Sequence, residues 1–236
     1  MPDANTEPDK ELRAVRERYS RRSSQDARYS AFNPAALYSQ QERQRVMLHL
    51  LAGSGLTGLG SVDLVEVGSG DGANLLEWLR FGCSPERLRG VELLPERHAA
   101  ARSRLPASVR LTLGDAVTAE IEENSCDVVL ASTVFSSLLD DDFQCRLARA
   151  MWRWLRPGGG VLWYDFTVDN PRNSDVRGVP PSRVRALFPQ GRMNAKRVTL
   201  APPISRRVAA VHPSLYTLFN AFPWLRTHMV AWIIKP

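Results

Sequence analysis

The chain has 236 residues, of which 44% are hydrophobic, enough for one domain with a sizeable core and an extension. No apolar run reaches the roughly 18 to 20 residues that span a bilayer, and the N-terminus lacks the apolar stretch of a signal peptide, so we expect a cytoplasmic protein. Three widely spaced cysteines, without a CxxC pair, argue against a zinc site or a disulfide framework, and we expect no metal.

Positive charge is concentrated at the two ends of the chain. The net charge is +6, and only three of the 31 basic residues are lysines. Residues 167–236 hold eleven basic and two acidic residues, a net charge of +9, and residues 13–28 are also rich in arginine. This pattern favours an anionic partner such as a phosphate, an acidic sugar, a lipid head group or nucleic acid, although charge runs are more commonly solvated surface.

The N-terminal part predicts helices. Residues 1 to about 10 are predicted to be disordered, and residues 11–52 to be helical with a break near the Asn-Pro pair at 33–34. A glycine-rich loop follows at 51–61. We therefore divide the chain into an N-terminal helical extension or lid, residues 1–55, and a main domain, residues 56–236.

Short apolar segments alternate with helices of about ten residues in the main domain. Strands are predicted at 62–67, 88–93, 109–115, 126–132 and 161–166, with helices at 72–81, 95–105 and 141–155. This alternation predicts a parallel sheet covered on both faces. The less regular remainder predicts a helix at 180–189, a strand at 195–201, an apolar helix at 212–225 and a final strand at 228–235.

The stretch LVEVGSGDGANLL, residues 64–76, reads as a strand, a glycine turn and the start of a helix. Gly68, Gly70 and Gly72 let the backbone turn sharply and approach a ligand closely. Gly68, Gly70 and Ala73 also satisfy the dinucleotide fingerprint GxGxxG/A, so the turn by itself fits both NAD and S-adenosylmethionine.

Four acidic residues around this turn favour S-adenosylmethionine. Asp71 lies inside the turn, where it would repel a pyrophosphate, and Glu66 precedes the first glycine. Glu92 ends the second strand, where a carboxylate suits the ribose of either cofactor, and Asp115 ends the third strand. S-adenosylmethionine carries an ammonium and a sulfonium but no phosphate, so an acidic site matches its charge.

Five motifs, in the same order along the chain, resemble those of the class I S-adenosylmethionine-dependent methyltransferases. Within that class the chain resembles the methyltransferases of type 11. They are VEVGSGDG, VELL, LGDA, CDVVLAS and LRPGGGVLWYDF, over about residues 60–166. The resemblance implies a three-layer Rossmann-like α/β fold with a seven-stranded sheet in the order 3-2-1-4-5-7-6. Strand 7 would be antiparallel, and the final segment, HMVAWIIK, suits it. Residues 56–236 would then be the methyltransferase domain.

The same resemblance implies a cofactor site. Its residues would be Glu66, Gly68, Ser69, Gly70, Gly72, Glu92, Leu93, Asp115, Ala116, Ser132 and Thr133. The glycines would border the methionine portion, and Glu66 would organise the turn or reach the ammonium through water. Glu92 would hold the ribose, Leu93 would pack on the adenine, and Asp115 with the Ala116 backbone would read its edge. The serine and threonine would lie near the transferred methyl group. Strand-end solvation is the alternative for both strand-end carboxylates.

A hydroxyl acceptor needs a base within hydrogen-bond reach, whereas a carboxylate acceptor needs none. Asp165, at the end of the fifth strand, is the preferred catalytic candidate, and His212 is the second. A structural carboxylate paired with Arg172 or Arg177 is the alternative for Asp165. Asp140 is expected to cap the helix at 141–155.

The acceptor is expected to be a saccharide or a glycolipid. No Asn-Pro-Pro-Tyr run follows the fourth strand and no Pro-Cys nucleophile occurs, which argues against a nucleobase. Outside the core, the chain resembles a bacterial methyltransferase group associated with surface-polysaccharide and glycolipid clusters, which implies O-methylation of a sugar. Predicted acceptor contacts are Tyr29, Asn33, Phe135, Tyr164, Asn170, Arg172, Asn173 and Arg177.

Three further alternatives stay open. The basic surface allows a ribose hydroxyl of RNA or another small molecule as acceptor, and the chain could instead be a non-catalytic S-adenosylmethionine-binding partner protein. The apolar helix at 212–225 fits the core, a contact between copies of the chain, or a surface that meets a lipid-linked acceptor at the inner face of the membrane.

Overall fold

The computed structural model describes residues 7–21, 30, 32–171 and 173–236. Seven strands form one sheet in the order β3-β2-β1-β4-β5-β7-β6, which confirms the predicted α/β fold and sheet order. The strands are β1 (Leu64–Val67), β2 (Leu88–Glu92), β3 (Arg110–Leu113), β4 (Cys126–Ser132), β5 (Leu155–Phe166), β6 (Arg192–Leu200) and β7 (Arg226–Ile234).

Strands β1 to β5 are parallel, and β7 is antiparallel to both of its neighbours, β5 and β6. Since β6 and β5 each oppose β7, they point the same way. Every strand except β7 therefore ends at one edge of the sheet, which we call the carboxyl edge. Ligands of open parallel sheets bind beyond this edge, so it is the place where a site is expected.

Helices cover both faces of the sheet. They are α1 (Glu7–Ser20), α2 (Pro34–Ala52), α3 (Ala73–Arg80), α4 (Pro95–Arg104), α5 (Asp141–Trp154), α6 (Pro181–Leu187), α7 (Pro202–Val211) and α8 (Pro213–Asn220). Alternate strand residues point to opposite faces, so Leu64 packs with Trp78 of α3, whereas Val65 packs with Trp154 of α5. Each such fully buried side chain contributes about 1.5–3 kcal/mol of burial energy.

Local signals in the sequence account for where several helices begin. Asp140 caps α5, because its carboxylate accepts a hydrogen bond from the Phe143 amide at 2.6 Å, as predicted. Proline occupies the first turn of α2, α4, α6, α7 and α8, where its fixed φ suits a helix and its missing N–H is not needed.

The two ends of the chain differ in detail from the predictions. Helix α1 begins at Glu7, so part of the segment predicted to be disordered is helical, and residues 1–6 lie outside the described residues. Helix α7 has no counterpart among the predicted elements; Pro202 and Pro203 lie in its first turn, where proline is favourable. The predicted helix at 212–225 is instead α8 followed by a 3-10 turn at Pro223–Leu225, since Pro223 ends the regular hydrogen bonding.

Two properties of the described residues bear on possible partners. None of the helices among them combines the length and the apolar character that crossing a bilayer requires. Across the same residues, no group of three or more histidine, cysteine, aspartate or glutamate side chains is placed to hold a metal ion.

Candidate active site

A cavity of about 280 Å³ lies at the carboxyl edge, beyond the ends of β1, β2, β3 and β4. Nine of the eleven predicted cofactor residues line it: Gly68, Ser69, Gly70, Glu92, Leu93, Asp115, Ala116, Ser132 and Thr133. The fold thus brings together residues that are 65 positions apart in the chain, because parallel strands deliver their last residues to the same edge. The individual roles that the resemblance implies for these residues stay predictions.

The glycine turn joins β1 to α3 and forms one wall of the cavity. Gly68, Gly70 and Gly72 all have positive φ, at 63°, 57° and 82°, which L side chains rarely adopt. A side chain at Gly68 would meet Val134 Cγ2 at 3.0 Å. Gly72 does not line the cavity, and a Cβ there would lie 2.8 Å from Leu105 Cδ1, so it permits α3 to pack close to the end of α4.

We expect Gly72→Ala to destabilise the protein by about 2–4 kcal/mol, from left-handed strain together with overpacking against Leu105. Gly70→Ala is the matched control, because its Cβ would meet only the flexible Arg97 side chain, at 3.6 Å, and would cost about 1–2 kcal/mol from strain. Urea denaturation of both variants measures the difference. Equal losses would show that the contact with Leu105 is unimportant.

Two carboxylates from neighbouring strands face the cavity. Glu92 is buried, and its two oxygens accept hydrogen bonds from the backbone amides of Gly70, at 2.7 Å, and Leu94, at 2.8 Å. Asp115 accepts from the Val117 amide at 2.8 Å. A carboxylate oxygen has two acceptor sites, so each residue can accept a further hydrogen bond from a ligand hydroxyl or amine. Glu92 also ties the end of β2 to the glycine turn.

Two buried polar atoms of cavity-lining residues, Ser69 Oγ and Arg43 Nε, have no hydrogen-bond partner among the described residues. Ser69 lies in the glycine turn and is buried, and within the described residues its Oγ makes no hydrogen bond. Buried hydroxyls are normally hydrogen-bonded, so this atom is suited to a polar ligand group. The Ser69 hydroxyl can donate or accept a hydrogen bond, and the Glu92 and Asp115 carboxylates can accept further ones. Together these groups match the hydroxyls and amines of a cationic nucleoside.

Glu66 lies beneath the cavity rather than in its lining. Its Oε1 accepts from Asn74 Nδ2 at 2.6 Å, and Asn74 lines the cavity. Burial raises the pKa of Glu66 to about 8, and the Asn74 hydrogen bond and the nearby Arg43 charge oppose the rise. Oε2 has no hydrogen-bond partner among the described residues. Glu66 therefore supports the first turn of α3.

Arg43 is a cavity residue that the sequence analysis missed. It comes from α2, and its Nη2 donates to Asn74 Oδ1 and to Glu77 Oε2, both at 3.0 Å. Its guanidinium also lies over the ring of Tyr164, 5.3 Å from the centroid. Arg43 can thus place a positive charge at the cavity, where a ligand carboxylate would be stabilised. No local motif marks it, since its role depends on how α2 packs on the sheet.

The outer rim of the cavity carries both signs of charge. Asp71, which was expected to repel a pyrophosphate, forms an ion pair with Arg104 at the surface. Arg97 is exposed, lines the cavity and lies over the ring of Tyr19, 5.0 Å from the centroid. The acidic character of the turn is therefore partly balanced by arginines of α4.

Helix α1 covers the cavity. Leu12, Val15 and Tyr19 lie on one face of the helix and line the cavity wall. Their spacing along the sequence, at i, i+3 and i+7, is the apolar stripe by which they could have been found. The buried Arg18 fixes the helix, because it donates to Glu11 Oε1 at 2.6 Å and to the Ser137 carbonyl at 3.0 Å.

We expect Arg18→Met to speed cofactor dissociation about tenfold, because it leaves the buried Glu11 carboxylate without its counterion. Stopped-flow fluorescence measures the dissociation rate, and limited proteolysis reports the exposure of α1. Arg16→Met, on the exposed side of the same helix, is the control and should leave both unchanged. Identical rates in the two variants would show that the ion pair does not hold α1 closed.

The two predicted catalytic residues lie outside the cavity lining. Asp165 is buried at the end of β5, and its carboxylate accepts from the amides of Ser136, at 3.0 Å, and Phe166, at 2.9 Å. It thereby holds the 3-10 turn Phe135–Ser137, of which Ser137 lines the cavity. His212 is exposed and caps α8, where its Nδ1 accepts from the Ser214 amide at 3.2 Å.

None of the described residues predicted to contact the acceptor lines the cavity. Asn33 caps α2 by accepting from the Ala35 amide, and Phe135 is fully buried against Trp163, with ring centroids 4.6 Å apart. In the loop after β5, Asn173 accepts a hydrogen bond from the Asp175 amide, and Arg177 forms an ion pair with Asp141 of α5. Asn170 of the same loop is exposed. Tyr29 and Arg172 lie outside the described residues.

Tyr164 is buried on the face of β5 that packs against α2. Its ring stacks on His228 of β7, with centroids 5.2 Å apart and planes at 14°, and its hydroxyl lies 3.1 Å from Thr199 Oγ1. Burial and the Arg43 charge lower the pKa of His228 to about 4, so the imidazole is neutral at pH 7. This aromatic pair sits beside Arg43, one layer behind the cavity.

Comparison with known proteins agrees with this geometry. Residues 65–163 match a family described as "Methyltransferase domain". The match begins in β1 and ends in β5, so it spans the strands whose ends build the cavity. Among curated proteins, none matches the chain at a significant level.

Several solved structures share the fold at low sequence identity. A phosphoethanolamine N-methyltransferase from Haemonchus contortus is 14% identical, with a TM-score of 0.64 over 98% of this chain and 50% of that one. An S-adenosylmethionine-dependent methyltransferase from Mesorhizobium loti is 15% identical, with a TM-score of 0.55 over 74% of this chain and 92% of that one. The [4+2]-cyclase SpnF is 16% identical, with a TM-score of 0.59 over 81% of each chain.

The sheet order and the glycine turn define a Rossmann-like α/β fold with a cavity at the carboxyl edge. Because the cyclase shares this fold, the fold alone does not fix the reaction. Residues 65–163, which match the methyltransferase-domain family, supply the missing evidence: the protein is an S-adenosylmethionine-dependent methyltransferase.

Proposed function

We propose that this methyltransferase transfers a methyl group to a hydroxyl group of a saccharide or glycolipid, with anionic acceptors preferred. The observation that carries the anionic preference is charge: residues 176–236 contain ten basic residues and no acidic residue. These residues include β6 and β7. Strand β7 pairs with β5, and the end of β6 and the start of β7 lie at the carboxyl edge. An acceptor approaching the cavity from that side meets a positive surface.

Bound S-adenosylmethionine would supply a methyl group already activated by the positively charged sulfur. The protein residues then have to align the acceptor and exclude water, and such positioning contributes about 7–11 kcal/mol. Leu12, Val15 and Tyr19 of α1 would exclude water, since they close the apolar side of the cavity. Glu92, Asp115 and Ser69 offer the polar contacts that would hold the nucleoside, and Arg43 offers the charge for its carboxylate.

We propose Asp165 as the group that accepts the hydroxyl proton. Burial raises its pKa to about 7, and the amides that it accepts from oppose the rise. A base with a pKa near the working pH is effective in proton transfer. The 3-10 turn at Phe135–Ser137 separates the carboxylate from the cavity, so this role requires a small shift of that turn when the acceptor binds.

We expect turnover of the wild-type protein to rise with pH through about 7, as Asp165 ionises, and Asp165→Asn to lose this limb together with at least about a hundredfold in kcat. Asp142→Asn, an exposed acid at the start of α5, is the control. A variant that keeps the wild-type pH profile and changes only KM would make Asp165 a positioning residue for the turn.

A second candidate acceptor is a small phosphorylated molecule. The basic residues beside β5 would suit a phosphate as well as an acidic sugar, and the structurally similar Haemonchus contortus enzyme was solved with phosphoethanolamine and S-adenosylhomocysteine. This likeness is one of fold alone, so the phosphorylated class of acceptor rests on the basic residues of this chain.

The test is a methyl-transfer assay with labelled S-adenosylmethionine against paired acceptors. Glucoside and glucuronide of the same aglycone differ only at C6, which is a hydroxymethyl group in the first and a carboxylate in the second. Phosphoethanolamine and RNA complete the panel. The proposal predicts turnover on the glucuronide above the glucoside, with the methyl group on oxygen by NMR. Turnover only on RNA or phosphoethanolamine, or cofactor binding without turnover on any cell-envelope glycan fraction, would overturn it.

A further inference from the structure

The connection between β6 and β7 presents an exposed apolar surface. It consists of α7, α8 and the 3-10 turn at Pro223–Leu225. Five outward side chains, which we call the apolar ridge, are Val211, Leu218, Phe219, Phe222 and Trp224. Val211 is 77% and Trp224 72% exposed, and the rings of Phe222 and Trp224 are in contact, with centroids 5.1 Å apart. Side chains of this kind clustered on a surface mark an interaction site.

A basic groove lies beside the ridge, between α2, β6 and α8. Its cationic residues are Arg45, Lys196, Arg197 and Arg226, with His49. Arg226 is fixed by the carbonyls of Asn220 and Arg197. In the described part of the chain, no acidic side chain forms an ion pair with Arg45, Lys196 or Arg197.

The one acidic residue in the groove is already engaged. The Glu42 carboxylate is buried and accepts from the Thr199 amide, at 2.9 Å, and from Asn220 Nδ2, at 2.8 Å. The groove therefore offers cations without exposed counterions. From residue 176 to the end of the sequence there is no acid at all, so the ridge is also free of negative charge.

We propose that the apolar ridge and the basic groove together dock on an anionic lipid bilayer. Aromatic and aliphatic side chains enter the boundary between head groups and acyl chains, while adjacent arginines and lysines bind the lipid phosphates. The ridge supplies the first component and the groove the second, on neighbouring elements of one surface. This inference does not rest on the identity of the acceptor.

Two other occupants fit the surface less well. A symmetric dimer through the ridge would bring this acid-free surface against itself, so that cations would oppose cations. RNA would pair with the groove, but the exposed Val211 and Leu218 have no role in stacking or phosphate contact. Charge and side-chain type together therefore favour a lipid surface.

The apolar ridge and the cavity lie at the same edge of the sheet, so docking on a bilayer would affect access to the cavity. The connection from β6 to β7 begins and ends at the carboxyl edge, since Leu200 pairs with Arg226 there. The cavity opens at the same edge. Docking through the ridge would bring this edge to the bilayer, where a lipid-linked molecule could reach it.

The experiment is co-sedimentation of the full-length protein with vesicles at about 0.1 M salt. Vesicles of phosphatidylglycerol and phosphatidylcholine are compared with phosphatidylcholine alone. We expect binding to the anionic vesicles, weakened about a hundredfold by the triple variant Arg45→Gln, Lys196→Gln, Arg197→Gln. We expect a loss of at least about tenfold for the double variant Leu218→Ser, Trp224→Ser.

Matched variants separate this surface from general charge and hydrophobicity. Arg80→Gln, Arg110→Gln and Arg149→Gln together remove the same charge from exposed positions elsewhere. Leu113→Ser with Val168→Ser removes two apolar side chains that are 48% and 50% exposed. Both controls should bind within about threefold of the wild type. Thermal melting shows whether each variant is folded.

Three results would overturn the proposal. The first is no binding to anionic vesicles by the folded wild-type protein. The second is an equal loss in the control variants and in the groove and ridge variants. The third is that the protein is a dimer by analytical ultracentrifugation, and that the double variant Leu218→Ser, Trp224→Ser dissociates this dimer but leaves vesicle binding unchanged. That result would show that the ridge binds a second copy of the chain. Methyl transfer to a water-soluble acceptor is measured separately, so failure here leaves the proposed function untouched.

Discussion

Glu92→Ala is expected to weaken S-adenosylmethionine binding by about a hundredfold, the largest effect on affinity of any single change at the cavity. Glu92 is the buried carboxylate at the end of β2, and it already orders the glycine turn through the Gly70 amide. The substitution would therefore remove the predicted contact with the cofactor and the observed hydrogen bond to the glycine turn together. Glu92→Gln keeps one acceptor oxygen and is expected to lose less affinity.

Isothermal titration calorimetry measures this loss directly. Glu86→Ala, an exposed acid in the 3-10 turn before β2, is the control and should bind like the wild type. Since Glu92 also accepts from the Leu94 amide, we expect its alanine variant to lose about 1–3 kcal/mol of stability in the absence of cofactor. Unchanged affinity in a folded Glu92→Ala protein would contradict the assignment of the cavity.

The free energy of unfolding is expected to fall as the pH rises from about 5 to 8, because of Glu66. Its pKa is about 8 in the folded protein and 4.5 in the unfolded chain, so the folded state binds the extra proton in this window. The contribution is fully present below pH 4.5 and is lost as the pH passes about 8. Its slope is at most about 1.4 kcal/mol per pH unit.

Glu66→Gln should remove the part of the slope that Glu66 contributes, because the amide keeps an acceptor for Asn74 Nδ2 and does not titrate. The contributions of Asp165, of the same sign, and of His228, of opposite sign, stay in both proteins. Chemical denaturation at pH 5, 6, 7 and 8 gives the comparison, with the exposed acid variant Glu96→Gln as the control. If the ligand ammonium favours the ionised carboxylate, cofactor affinity should rise over the same range. A Glu66→Gln protein with the wild-type slope would place the titration elsewhere.

The strands and the turn were predictable because their signals are local. Residues 64–76 carry an apolar strand, glycines at positive φ and a helix start within thirteen positions, and each part is encoded by its own residues. Parallel strands then bring Glu92, Asp115 and Ser132 to one edge whatever the details of packing. This is why most of the cavity lining could be predicted.

Residues whose role depends on packing between distant segments were not predictable. Arg43 reaches the cavity only because α2 lies across β6 and β7, which no pattern around residue 43 encodes. Polar residues of the loop after β5 were expected to face an acceptor, but Asn173 and Arg177 are used by the loop and by α5. Turn-forming and ligand-binding residues are of the same types, so sequence cannot separate them.

The division of the chain near residue 55 stays a prediction, yet the position of α1 has a practical consequence for protein engineering. Leu12 and Val15 share the cavity wall with Leu138, Phe143 and Leu147. A shortened protein that starts after the first twenty residues would leave those three side chains bare to water and prone to self-association. Weak cofactor binding by such a truncated protein would then be explained by the loss of the α1 side of the cavity. Cofactor affinity should therefore be measured on the full-length protein.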